Sequence, residues 1–342
     1  MKTSTLFLLV VVVATSFACS HERPLREGLV VPAVDATRLS AAPLPEVDER
    51  KSPPRWLDHE REDGDALYGV GVVKGRGNRD VDLYRVQEAA EASVAEWLRD
   101  RGMRTTPPRN LVPPLDVELR AIFIEKLAHN KKSDLWYCLA RLDREAEADY
   151  AKDRWKEVNE RLDEARDGLE ADTAEERVVA GLTILFELDR RAQYRVQYRT
   201  LTGKDLDPPR RLTDHRIESA AREALAAYGV RVNITGEPVA GLREAVEGTL
   251  QRVSLLPSVD GAGKVDVRLN RRAASTDGRP FVYLEGELRV RLEGPAGPAH
   301  VVPLRAKGSG TDWQEADAEA ARRGKDALRD ALIQTLEDIG QG

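Results

Sequence analysis

Leu284-Glu285-Gly286-Glu287-Leu288-Arg289-Val290-Arg291-Leu292 places an apolar residue or glycine at every even position and a charge at every odd one. A period of two belongs to a strand with one face buried and one in water. Val265, Val267 and Leu269 before it carry the same alternation, as do Val302, Leu304 and Ala306 after it. Asp277-Gly278 and Gly294-Pro295-Ala296-Gly297-Pro298 supply turns, so the three runs read as an antiparallel meander. A sheet with one apolar face requires a cover. The last helical segment, with Trp313, Ala316, Ala320, Ala327, Ala331 and Leu336 spaced along it, is expected to supply that cover.

Upstream of the meander, Thr213 or Asp214 caps a helix running to Ala227, and Gly229 stops it. Val230-Arg231-Val232-Asn233-Ile234 reads as a strand, and Leu242, Ala245, Val246, Thr249 and Leu250 mark another helix. Earlier still, Ala151, Trp155, Val158, Leu162, Ala165 and Leu169 alternate steps of four and three, a heptad seam. Thr173 and Glu176 have capping-box spacing and start a second helix, lined by Val178, Leu182, Leu185, Leu188, Ala192 and Val196. The pair predicts an antiparallel hairpin over residues 144–205. Arg190, Arg191, Tyr194, Arg195, Tyr198 and Arg199 cluster near its end. With acids close by, they read as a solvated helix face and not as a nucleic-acid site.

Residues 66–73 read as a strand broken at Gly75-Arg76-Gly77-Asn78. A helix follows through Leu83, Val86, Ala90, Ser93 or Val94, and Trp97, with Gly102 as its C-terminal glycine. Leu115-Asp116-Val117-Glu118-Leu119-Arg120-Ala121 and Trp136-Tyr137-Cys138-Leu139-Ala140-Arg141-Leu142 are two further strands. Cys138 shares a face with Trp136, Ala140 and Leu142, which predicts a buried thiol packed as a small hydrophobe. Gly308-Ser309-Gly310 and its alanine-rich helix echo Gly75-Arg76-Gly77 and its helix, which suggests two divergent copies of one strand–helix plan. The fold class is therefore α+β: two small domains, each with a helix on an antiparallel sheet, joined by a long antiparallel helical hairpin. The boundaries are a signal peptide over 1–18, a lipid-anchored flexible tether over 19–54, a first α+β domain over 55–143, the hairpin over 144–205 and a second α+β domain over 206–342.

Pro54-Arg55-Trp56-Leu57, then Leu67-Tyr68-Gly69-Val70-Gly71, an Ala-rich helix, and Trp136-Tyr137-Cys138-Leu139-Ala140-Arg141-Leu142-Asp143 together resemble the "Lpp-twenty" bacterial lipoprotein domain. That domain is similar also to part of the flagellar assembly protein T. The resemblance covers residues 53–145. It implies a helix packed on a small antiparallel sheet and an envelope location, and it brings no catalytic residues.

The N-terminus points to export. Lys2 precedes an unbroken apolar run over residues 6–14, and Thr15-Ser16-Phe17-Ala18 follows, the order of a signal peptide. The run is too short to span a bilayer. Cys19 comes next and resembles the modified cysteine of bacterial lipoproteins. Ser16 stands where a lipobox prefers leucine and Phe17 is bulky, so cleavage before an unmodified Cys19 is the competing reading. A lipidated Cys19 would attach the chain to a membrane, since each buried methylene contributes about 0.8 kcal/mol. Ser20 follows in place of the aspartate that marks inner-membrane retention in some bacteria, which favours the outer membrane. Pro24, Pro32, Pro43, Pro45, Pro53 and Pro54 break any period between Cys19 and the first domain.

Composition excludes several classes. Hydrophobic residues are 41 % and charged residues 33 % of the 342, enough to build cores and more than a disordered chain carries. A net charge of −6 with interspersed signs gives no basic run for a nucleic-acid partner. Two cysteines, one at the signal border, form no disulfide framework. Gly69-x-Gly71-x-x-x-Gly75 lacks dinucleotide spacing and is better explained by tight strand–helix packing. Asp58, Glu60, Glu62, Asp63 and Asp65 surround Gly64 out of register for a calcium loop. His21, His59, His129, His215 and His300 are scattered singly, without zinc spacing. No catalytic, cofactor or metal residues are assigned, and the one site residue is Cys19, for lipidation. The expected function is that of a cell-envelope lipoprotein with a non-enzymatic structural, scaffolding or assembly role. It would be anchored in a membrane facing the periplasm and would work beside an envelope protein partner. The alternative is a ligand-binding or regulatory lipoprotein that acts on a peptidoglycan or envelope enzyme.

Overall fold

A computed structural model describes residues 44–58, 61–103, 111–112, 119–292 and 298–341. Within them the first sheet holds β1 (Val47–Arg50), β2 (Glu62–Asp63), β3 (Ala66–Lys74), β4 (Ile122–Asn130) and β5 (Leu135–Asp143), in the order β1-β4-β5-β3-β2. The second holds β6 (Val230–Gly236), β7 (Gly263–Thr276), β8 (Arg279–Arg291) and β9 (His300–Ser309), in sequential order. The helices are α1 (Arg79–Leu98), α2 (Arg144–Gly168), α3 (Ala174–Thr202), α4 (Asp214–Tyr228), α5 (Leu242–Arg252) and α6 (Trp313–Gln341). The architecture is α+β, with antiparallel pairing dominant.

Each sheet adds one parallel edge that alternation alone did not reveal: β1 lies parallel to β4, and β6 parallel to β7. β1 falls inside the stretch read as tether, so the sheet begins earlier than expected. β4 does not show in the alternation either, because Ile122-Phe123-Ile124 is a continuous apolar run and a bulge at Glu125 shifts its register against β5. Of the strand expected over residues 115–121, positions up to 118 lie outside the described residues, and Leu119 to Ala121 bend into β4.

The β7–β8 meander is as the alternation requires. Val265, Val267, Leu269, Leu284, Leu288, Val290 and Leu292 are buried. Asp277 (φ 53°) and Gly278 (φ 74°) are both left-handed, as a tight two-residue hairpin turn with the right twist demands. The cover differs in register. Trp313 is 46 % exposed, Ala327 and Ala331 are half-buried, and the buried stripe of α6 runs through Ala316, Ala320, Gly324, Leu328, Leu332 and Leu336. Gly102 does not end α1 cleanly either; a π-helical turn, Arg99–Met103, carries the helical path past it.

Glycines set how closely each helix lies on its sheet. A Cβ on Gly71 would sit 2.2 Å from the Val86 carbonyl oxygen, and one on Gly69 would sit 2.3 Å from that of Ala90. In the second sheet a Cβ on Gly308 would sit 2.1 Å from the Ala316 carbonyl oxygen. The two sheets share a spatial plan: a parallel edge strand, two antiparallel strands, and a strand that leads through a short turn into the covering helix. Chain order differs, because β3 and α1 precede β4 and β5, whereas β9 and α6 follow β7 and β8. The echo seen in the sequence thus corresponds to a shared arrangement in permuted order.

The hairpin joins the two cores. Ala148 and Leu201 pack with α1 and the first sheet. Val158, Leu162, Leu182, Leu185 and Leu188 belong to the core that holds α4, α5, α6 and the second sheet. Thr173 caps α3 by accepting from the Glu176 N–H, and Glu176 in turn accepts from the Thr173 hydroxyl. Gly203 (φ 72°) terminates the helix. No described helix is long and apolar enough to cross a membrane.

Candidate functional site: the polar spine of the hairpin

Cys19, the one site residue assigned from sequence, lies outside the described residues, as do His21 and Glu60. The acidic stretch around Gly64 does not converge on a centre: Glu62 is held by Arg101 at 2.6 Å and lies 3.9 Å from Arg144. Among the described residues no group of three or more His, Cys, Asp or Glu could hold a metal ion. His129 stacks on Trp136 with ring centroids 4.2 Å apart and sits between Glu49 and Asp134, an edge-strand contact. Cys138 is buried, and burial, then the nearby Glu91 charge, push its thiol up to about 12. It is chemically quiet at neutral pH.

The basic and aromatic cluster of α3 is largely consumed internally. Arg190 pairs with Glu187 and with Glu337 of α6. Arg195 makes two bonds to Asp205, at 2.6 and 2.8 Å. Arg191 is buried and donates to Asn159 Oδ1 of α2 at 2.9 Å, to the Leu212 carbonyl at 2.8 Å and to Asp214. Tyr198 packs on the first core.

These contacts belong to a chain of buried polar groups along the hairpin that a one-faced heptad reading does not predict. Glu147 is fully buried. One of its oxygens accepts from the Arg120 N–H (2.9 Å) and the Ala121 N–H (3.0 Å), and the other accepts from Gln197 (2.8 Å). Asp189, also fully buried, accepts from the Leu111 N–H at 2.8 Å. Glu187 accepts from Arg161 at 2.9 Å as well as from Arg190. A signal for this was present. Gly181-Leu182-Thr183-Ile184-Leu185-Phe186 is apolar almost all round, which marks a helix buried on every side, so the charges that follow it needed internal partners.

Each carboxylate of this spine faces N–H donors or guanidinium groups. The arrangement orders backbone and docks helices, and one of its carboxylates, Glu187, borders a groove together with the Arg161 and Arg190 that hold it. The described residues line open grooves, the second of which borders the spine at Glu187. One, of about 710 Å³, is lined by Leu169, Ala174, Ile217, Ala224, Arg177 and Arg216. The other, of about 900 Å³, is lined by Val179, Ala180, Tyr194, Arg161, Arg190 and Glu187.

Burial raises the Glu147 carboxyl above its ordinary 4.5, and that effect outweighs the hydrogen bonds that oppose it. A raised folded-state value means the native chain holds its proton longer than the unfolded chain. The stabilisation is complete below the unfolded value and is lost as pH rises through the folded one. Glu147→Gln retains an acceptor for the two N–H groups but cannot ionise. Urea unfolding measured at successive pH values should therefore show a shallower loss of stability above pH 4.5 in this variant than in the parent. Glu337, also raised by burial against the pull of Arg190, leaves a residual slope of the same sign.

Neither a protein-family model nor a curated protein matches the chain, so the resemblance of residues 53–145 rests on its quoted motifs. Among solved structures, the secreted protein HP1454 of Helicobacter pylori is similar over 79 % of this chain and 98 % of its own, at 14 % identity and a TM-score of 0.36. A minor lipoprotein of Acinetobacter baumannii is similar over 32 % of this chain and 91 % of its own, at 13 % identity and a TM-score of 0.26. Rare lipoprotein B of Shewanella oneidensis is similar over 32 % and 91 % respectively, at 19 % identity and a TM-score of 0.19.

Proposed function

We propose that this chain is a bacterial cell-envelope lipoprotein, anchored through Cys19, with a non-enzymatic scaffolding or assembly role beside an envelope protein partner. The observation that carries the reading is the N-terminal order: Lys2, the apolar run of residues 6–14, and Cys19 directly after Ala18. Ser20, in place of aspartate, favours the periplasmic face of the outer membrane over the inner membrane. The non-enzymatic part is supported by the polar spine, whose buried carboxylates are engaged in holding helices and backbone together. Crosslinking in native membranes tests the role. The expected result is a discrete crosslinked species with the parent chain that is lost with Cys19→Ala. Turnover of an envelope substrate by the purified protein, abolished by one point mutation, would contradict it.

A further inference from the structure

The solvent side of the second sheet concentrates positive charge in a chain whose net charge is −6. Alternation from the registered pairs puts Arg231 of β6, Lys264, Arg268 and Arg272 of β7, Arg279 and Arg289 of β8, and Arg305 and Lys307 of β9 on one side. The same side carries the acids Asp266, Glu285 and Glu287. Each of these has a base of that side within reach: Lys264 at 2.9 Å, Arg272 at 3.8 Å and Arg289 at 2.9 Å respectively. Arg231, Arg268, Arg279 and Arg305 are exposed, and no carboxylate of the described residues lies within 4 Å of them. α6 leaves this side open: it packs on the other face, where its Asp317 holds Arg271 at 2.7 and 2.8 Å and its Ala316 meets Gly308.

We infer that this sheet face docks on the anionic headgroups of a phospholipid bilayer. It rests on the envelope address proposed above, but it needs no lipid on Cys19. The surface is broad and open, so it meets a plane of phosphates better than a groove-bound ligand. Its two aromatic rings are not free for base stacking. Lys307 sits 4.3 Å from the centroid of Phe281, and Arg272 sits 4.8 Å from that of Tyr283. A single-stranded nucleic acid, which depends on open rings, is therefore disfavoured. A protein partner would need a buried apolar anchor, and Val301 is the large hydrophobic residue exposed on this side. A base held at an anionic surface strengthens attachment about fivefold, and salt screens the effect within a Debye length.

The test is co-sedimentation of the full chain carrying Cys19→Ala with two kinds of vesicle. One is phosphatidylcholine alone, which records any binding by the N-terminal apolar run; the other adds phosphatidylglycerol. The expected result is a large, salt-sensitive gain on the anionic vesicles. Adding Arg231→Gln, Arg268→Gln and Arg305→Gln should remove that gain by roughly a hundredfold, with the thermal unfolding curve unchanged. Should the triple variant fold poorly, the salt dependence of the unsubstituted face decides. Equal binding to both vesicles, or binding indifferent to salt, overturns the inference. So does capture of a single-stranded oligonucleotide with no gain on anionic vesicles. None of these outcomes bears on lipidation of Cys19, so the two readings fail separately.

Discussion

Gly71→Val is expected to lower stability by roughly 3 kcal/mol, at the upper end of overpacking costs. The added Cβ would lie 2.2 Å from the Val86 carbonyl oxygen and 2.7 Å from the Ala90 amide nitrogen. Both are backbone atoms in the middle of α1, so no side-chain rotation relieves the clash. The helix must lift, and the contacts of Val86, Ala90 and Val94 with Cys138 and Leu142 loosen together. Thermal unfolding followed by circular dichroism should show a fall in Tm of several degrees. Gly248→Ala is the matched control. Gly248 lies inside α5 with nothing within 4 Å of an added Cβ, so alanine there should stabilise by about 0.5–1 kcal/mol through helix propensity. Equal behaviour of the two variants would mean that Gly71 does not set the strand–helix distance.

Arg191→Met should cost about 3 kcal/mol, the lower end of the range for breaking a buried ion pair. Methionine fills much of the volume but donates nothing. Asn159 Oδ1 and the Leu212 carbonyl oxygen then lose their donor inside the protein. Asp214, whose side chain is half-exposed, recovers water, which keeps the cost from rising further. The loss should appear as a lower urea midpoint. It should also weaken the joint between the hairpin and the start of α4, measurable as faster amide exchange over residues 210–216. An unchanged midpoint would show that these bonds balance their own desolvation.

How much of this was legible depended on the signal each residue carried. Alternation over residues 264–269 and 284–292 and heptad spacing in α2 specify both meander and hairpin, because one buried face leaves a period in the sequence. Asp277-Gly278 fixed its turn because both positions need positive φ. The edge strands β1 and β6 illustrate the two extremes. Val230 to Ile234 alternates and shows as a strand in the sequence, whereas Val47-Asp48-Glu49-Arg50 has one apolar residue and becomes a strand only by borrowing the edge of β4. On α6 the stripe was displaced because alanine is equally at home half-buried or buried, so Ala327 and Ala331 could not be told from Ala316 and Ala320. The polar spine was hidden for another reason: Glu147, Asp189 and Arg191 look like surface residues until distant backbone, at Arg120, Ala121, Leu111 and Leu212, closes over them.

Metabolic labelling with a tagged palmitate, comparing the parent chain with Cys19→Ala, addresses the central reading most directly. Label on the parent alone is the predicted result and would establish a lipid-anchored envelope protein. Label on neither chain would contradict the anchor and leave a secreted protein with an unmodified Cys19.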